Sequence, residues 1–181
     1  MKKMMLLLAS LVALTACSQP KQATKESTSN QTTKETKVSE SSKEEKGLKF
    51  VVAPQYEGKT SDLIELGKKL VKEHPELGSE GNMALYFTGA ISEGRAALML
   101  VNKTDVDIKK DLNFSISWSY DGKTIFDNQK VSYFIKDSGE LPSHTVTIIL
   151  LPLNEEQQRI VDGMSDPSKM KLQLSDMMFA E

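Results

Sequence analysis

The chain has 181 residues, a formal net charge of −2, 27% charged and 39% hydrophobic residues, and a single cysteine. One thiol excludes an intrachain disulfide framework and a multi-cysteine zinc site, so the folded part relies on its hydrophobic core. From Leu48 onward 15 Lys+Arg stand against 20 Asp+Glu, a net of −5, which argues against a nucleic-acid or anionic-membrane surface.

The chain begins with a basic start, Met1-Lys2-Lys3, followed by Met4 to Ala13, apolar except for Ser10. A basic segment, a short apolar run and small residues, in that order, form a secretory signal. The run is too short for a bilayer-spanning helix, which needs about 18–20 apolar residues. Ordinary cleavage wants small residues first and third before the cut, and cutting after Ala16 puts the bulky Leu14 in third place. Leu14-Thr15-Ala16-Cys17 instead resembles the lipobox of bacterial lipoproteins. That resemblance implies residues 1–16 as signal peptide, a diacylglyceryl group on the Cys17 thiol, cleavage between Ala16 and Cys17, and a mature chain starting at Cys17. A thiol suits this chemistry because thiolate is the good nucleophile among side chains near neutral pH. Two palmitate-type chains give stable anchoring where one gives only marginal binding. The expected location is the extracellular face of the cell membrane. The alternative is a soluble secreted protein with an incidental cysteine.

Ser18 to Lys46 contains no aromatic residue, one aliphatic β-branched residue (Val38), six Lys and five Glu. Such a segment cannot bury enough apolar area to offset its ordering entropy, so residues 17–47 read as a lipidated cysteine with a disordered tether. About 30 residues give a root-mean-square span near 30 Å and a stretched reach of about 100 Å. The arrangement resembles Gram-positive lipoproteins.

Residues 48–181 read as one domain. Leu48 to Pro54 suggests a strand ended by proline. Leu63, Ile64, Leu66, Gly67, Leu70 and Val71 follow helical spacing, with Lys68, Lys69, Lys72 and Glu73 opposite. Thr60, Ser61 or Asp62 can cap this helix, and Pro75 and Gly78 stop it. His74 sits at its end, where a cationic ring suits the open carbonyls. The period then changes to two over Met83 to Ile91, with a turn at Glu93-Gly94. Arg95 to Asn102 is apolar on both parities and predicts a central strand covered on both faces. In Leu112 to Tyr120 the apolar parity alternates with Asn and Ser, the pattern of a half-buried antiparallel strand. Asp121-Gly122 closes a hairpin. The returning strand, Thr124 to Ile135, carries a bulge or break at Asp127-Asn128. Asp137 to Glu140 reads as a loop, His144 to Leu153 as another strand, Glu155 to Asp162 as a short helix capped by Asn154, and Lys169 to Ala180 as the last strand.

Seven short strands joined by turns point to a mainly β sandwich. Leu98 to Lys109, "LMLVNKTDVDIK", and Gly139 to Leu150, "GELPSHTVTIIL", resemble segments of extracellular immunoglobulin-like modules of bacterial envelope proteins. An apolar strand there runs into Asn and a polar turn, and a later strand follows a Pro-containing loop. The resemblance implies an immunoglobulin-like antiparallel sandwich of about seven strands with one N-terminal amphipathic helix and one short late helix. The alternative is an α+β layer with the long helix packed on one sheet.

Little in the sequence carries chemistry. His74 and His144 have no HExxH or H-x-H spacing. Gly78-Ser79-Glu80-Gly81 lacks the G-x-S-x-G spacing. No catalytic residue and no cofactor is expected. Asp105, Asp107 and Asp111 gather after Asn102; three carboxylates offer oxygens for calcium, but nearby Lys103, Lys109 and Lys110 favour a solvated loop. Met164, Met170, Met177 and Met178 are expected as core filling rather than as an adaptable binding surface. Trp118 and Tyr120 fall on the core parity. Tyr56, Tyr86 and Tyr133 are the aromatic residues to consider for an exposed ligand site. The functional expectation is a lipid-anchored envelope protein with a non-catalytic binding domain for a protein or cell-wall partner. The alternative is a small cell-surface hydrolase or calcium-dependent enzyme.

Overall fold

Arg95–Asn102 shows the plan of the computed structural model, because a strand apolar on both parities needs cover on both faces. Ala96 to Val101 are essentially inaccessible. The structure describes residues 47–180; the signal, Cys17 and the tether lie outside the described residues. In chain order the elements are β1 (Lys49–Phe50), α1 (Asp62–Glu73), β2 (Met83–Ser92), β3 (Arg95–Asn102), β4 (Leu112–Tyr120), β5 (Lys123–Tyr133), α2 (Ile135–Ser138), β6 (Thr145–Pro152), α3 (Glu155–Asp162) and β7 (Met170–Phe179). One-turn 3-10 helices lie at Pro54–Tyr56 and Pro167–Lys169.

The strands form two sheets, ordered β1-β6-β3-β2 and β5-β4-β7. Between them Leu85, Ala96, Leu98 and Leu100 meet Phe114, Ile116, Trp118 and Phe126 in the main core. The other parity of β3, Met99 and Val101, joins Val71 of α1 and Val146 of β6 in a second cluster outside the four-stranded sheet. Each fully buried aliphatic or aromatic side chain contributes about 1.5–3 kcal/mol, so both cores are needed to hold β3. Trp118 packs between Phe87 and Phe126, ring centroids 5.0 and 5.9 Å away. The protein is therefore a mainly β two-sheet sandwich with α1 on one outer face.

Trp118, on the central strand of the three-stranded sheet, is fully buried between the sheets. Both sheets have an edge that matters. β1 occupies the edge beside β6 and runs parallel to it. Among the described residues no strand pairs with the outer edge of β7.

Local chemistry explains most boundaries. Ser61 caps α1 by accepting the Ile64 N–H at 3.3 Å. Asn154 and Gln157 form a reciprocal capping box on α3. Glu93-Gly94 and Asp121-Gly122 both place two consecutive residues at positive φ, the geometry of a tight primed hairpin turn.

Several expectations need correction. The first strand is only Lys49–Phe50; the chain then turns away, and Pro54 opens a 3-10 turn where a missing N–H is tolerated. Ile135 leaves the sheet to begin α2, with its N–H donated to Asp111 Oδ1 at 2.8 Å, and Asp137 and Ser138 are helical. Met164 and Met170 pack on the main core, but Met177 and Met178 are 46% and 61% exposed. The β7 register carries a bulge there, with Asp176 at φ 51°, and from it to the strand end both parities are exposed, Phe179 included. Tyr133 is buried, and Tyr86 is half-buried with its hydroxyl accepting the Gly78 N–H at 2.8 Å; of the three tyrosines only Tyr56 is exposed.

Candidate functional site

The short β1 leaves part of β6 without a strand partner. Val51 donates its N–H to the Val146 carbonyl at 2.8 Å, so the polar main-chain groups of Val146 face β1. Backbone groups alternate sides along a strand, which turns those of Ile148 and Leu150 to the same edge. β1 pairs only with Thr145 and Val146. Past that point no strand among the described residues occupies this edge of β6.

A cavity of about 520 Å³ opens along the free edge. Val52 forms one wall, Leu63 and Ile64 at the start of α1 another, and Val131 and Tyr133 on the edge of the other sheet a third. Glu93 and Arg95 stand at its rim, paired with each other. Burial pushes the Tyr133 phenol up to about 12, and its hydroxyl donates to the Gly139 carbonyl at 2.9 Å. Polar side chains, Gln55, Ser61, Ser92 and Ser132 among them, share the lining with these apolar ones, and such a mixture makes a binding cleft.

A second cluster forms where the loop after β3 meets the loop before β6. Asn102 is fully buried. Its Nδ2 donates to the carbonyls of Val106, Leu141 and Pro142 at 2.9, 3.0 and 3.1 Å. Its Oδ1 accepts from the N–H and hydroxyl of Thr104 at 3.1 and 2.6 Å. One amide thus ties together the two segments that carry the immunoglobulin-like resemblance, which explains why an apolar strand ends in Asn there.

Beside it, Ser143 Oγ lies 2.7 Å from His144 Nδ1, and His144 Nε2 lies 3.0 Å from Glu80 Oε2. Serine, histidine and carboxylate thus stand in line, as in a hydrolytic triad. The proton geometry differs. The Ser143 hydroxyl donates to the Thr104 carbonyl at 2.6 Å, so its oxygen is left to accept from the ring, and the imidazole is not placed to take the hydroxyl proton. The His144 bond comes first and Lys103 second in holding the Glu80 carboxyl below its ordinary value. This line pins the turn before β6, where His144 itself has φ 57°. Sequence reading misses it because Glu80 and His144 are far apart in the chain.

The three aspartates do not converge. Asp107 Oδ1 accepts the Ser143 N–H at 2.9 Å and Oδ2 pairs with Lys109 at 3.2 Å; the Ser143 bond, then Lys109, lowers its proton affinity. Asp111 accepts from Ile135 N–H in another loop. Asp105 is exposed. Among the described residues no three His, Cys, Asp or Glu side chains are grouped to hold a metal ion. His74 caps α1, and its ring meets Glu76 at 3.1 Å. Among the same residues no helix is long and apolar enough to cross a membrane.

Comparison with protein-family models, with curated proteins and with solved structures returned no match.

Proposed function

We propose that this chain is an envelope lipoprotein, held at the outer face of a cell membrane by acyl chains on Cys17, whose sandwich domain works by binding and not by catalysis. Anchoring is supported by the ordered run of basic start, apolar segment and Leu14-Thr15-Ala16-Cys17. The observation that carries the binding role is the cleft of about 520 Å³ beside β6, lined by both apolar and polar side chains. It lies between the start of α1 and the edge strand β5 of the other sheet. The polar segment between Cys17 and Gly47 serves to set the domain off the bilayer. The partner is a protein or a wall polymer, and no cofactor takes part.

In-cell photocrosslinking tests the binding role. A photoreactive residue at Leu63, on the wall of the cleft, is expected to give a discrete adduct on intact cells, whereas one at Gln129, on the exposed edge strand β5 outside the cleft, gives none. Equal yields at both positions, or no adduct at either, would remove the cleft as the binding site.

A further inference from the structure

We infer that the cleft takes an extended polypeptide segment, which continues the sheet by pairing its main chain with Ile148 and Leu150 of β6. This deepens the proposed binding role and rests on it.

Two independent observations specify the occupant. The first is the free edge itself. Lys49 and Phe50 already pair in parallel with Thr145 and Val146, and Lys49 N–H donates to the His144 carbonyl at 3.1 Å. The ladder therefore stops partway along a strand that continues to Pro152. Donors and acceptors repeating at strand spacing are matched by another extended main chain, the basis of β-strand addition. A sugar polymer or a lipid does not offer that repeat. The second is the walls. A strand seated beside β6 sends alternate side chains to opposite sides: one set toward Val131 and Tyr133 between the sheets, the other toward Leu63 and Ile64 of α1. Both sides are apolar, so the fitting segment carries aliphatic side chains on both parities at its centre.

The fold holds this edge open. After Val51 the chain leaves β6, and its 3-10 turn at Pro54–Tyr56 packs by α2 of the other layer, where a Cβ added at Gly139 would stand 3.0 Å from Pro54 Cδ. The strand that would otherwise cover β6 is thereby carried off. Pro152 closes the far end of the edge, since proline has no N–H to offer. Main-chain bonding supplies affinity, and the apolar walls supply the preference for particular side chains.

The test uses the full-length chain with Cys17→Ser and a synthetic peptide with a Val-Ile-Val-Ile centre between lysine ends, with the same peptide N-methylated on alternate residues as control. Amide hydrogen exchange is followed at Ile148 and Leu150. The parent peptide should slow exchange at both amides by about tenfold or more, and N-methylation should weaken binding by about tenfold, the loss of roughly 1.4 kcal/mol of main-chain bonding. Leu150→Pro should weaken the parent peptide similarly without altering protection of the β3–β6 ladder, because the Leu150 N–H faces outward. Equal binding of the two peptides, or protection elsewhere only, overturns the inference. So does concentration-dependent protection without peptide, which would make the occupant a second copy, and protection that disappears on deleting residues 18–46, which would make it the chain's own polar segment. If these tests fail while crosslinking at Leu63 still succeeds on cells, binding at the cleft stands and strand pairing falls.

Discussion

At the scale of single residues, Asn102 is the most informative. Its side chain serves five polar groups at the junction of two loops, and it has no access to water. Asn102→Ala removes the buried amide that joins the two loops, while the Leu141, Val106 and Pro142 carbonyls keep the Ile108 N–H and the Thr104 and Thr145 hydroxyls as donors, so the loss should be about 1–3 kcal/mol. A urea titration followed by the fluorescence of Trp118, the chain's sole tryptophan, should show a lower midpoint with an unchanged slope. Ser143→Ala removes two hydrogen bonds and should cost about 1 kcal/mol; a variant as stable as the wild type would contradict the role given to the Ser143–His144–Glu80 line. Tyr133 gives a pH signature. Its phenol keeps the proton to about 12 in the folded chain and loses it near the ordinary tyrosine value of 10.0 when unfolded. Between those values the folded state binds more protons, so stability falls as pH rises through that window. Thermal midpoints should therefore drop more steeply there for the wild type than for Tyr133→Phe. The burial of Trp118 is legible in alternation alone; the fate of Tyr133 is not, because the phenol finds its acceptor, Gly139, only through the loop after α2.

At the scale of elements, α1 is written in the sequence almost completely, from Ser61 to His74, because its apolar stripe and caps are local. β1 is not. Seven residues, Leu48 to Pro54, mostly apolar and ended by proline, look like a strand, yet only two join the sheet, and tertiary packing near Pro54 decides the rest. Gly67 links the two elements. A glycine inside a helix costs about 1 kcal/mol relative to alanine, and the structure supplies the reason. A Cβ there would stand within van der Waals distance of the Phe50 ring and close to Ile148. Gly67→Ala should thus destabilise by about 1–2 kcal/mol despite its better helix propensity. Combining it with Phe50→Leu should recover much of that loss, a non-additivity that a double-mutant cycle reads directly. The bulge at Asp176 is likewise invisible to a period-two reading, as is the exposure of Met177 and Met178 beyond it.

At the scale of the whole molecule, hydrophobic patterning suffices for a two-sheet sandwich, since strands that alternate and one strand that does not can be buried together in few other ways. The free edge of β6 comes from no motif. It arises because the first strand is diverted and its successor is a helix, so the cleft is a property of topology. The same molecule carries, ahead of the domain, a motif whose meaning is wholly chemical. Sandwich and thiol together make the account one of a binding module confined to a surface. Metabolic labelling with a clickable fatty acid, followed by fractionation, tests that confinement most directly. The wild-type chain should take up label and stay with the membrane, and Cys17→Ser should remain unlabelled and pass into the medium. Wild type as blank as Cys17→Ser, and equally free in the medium, would contradict it.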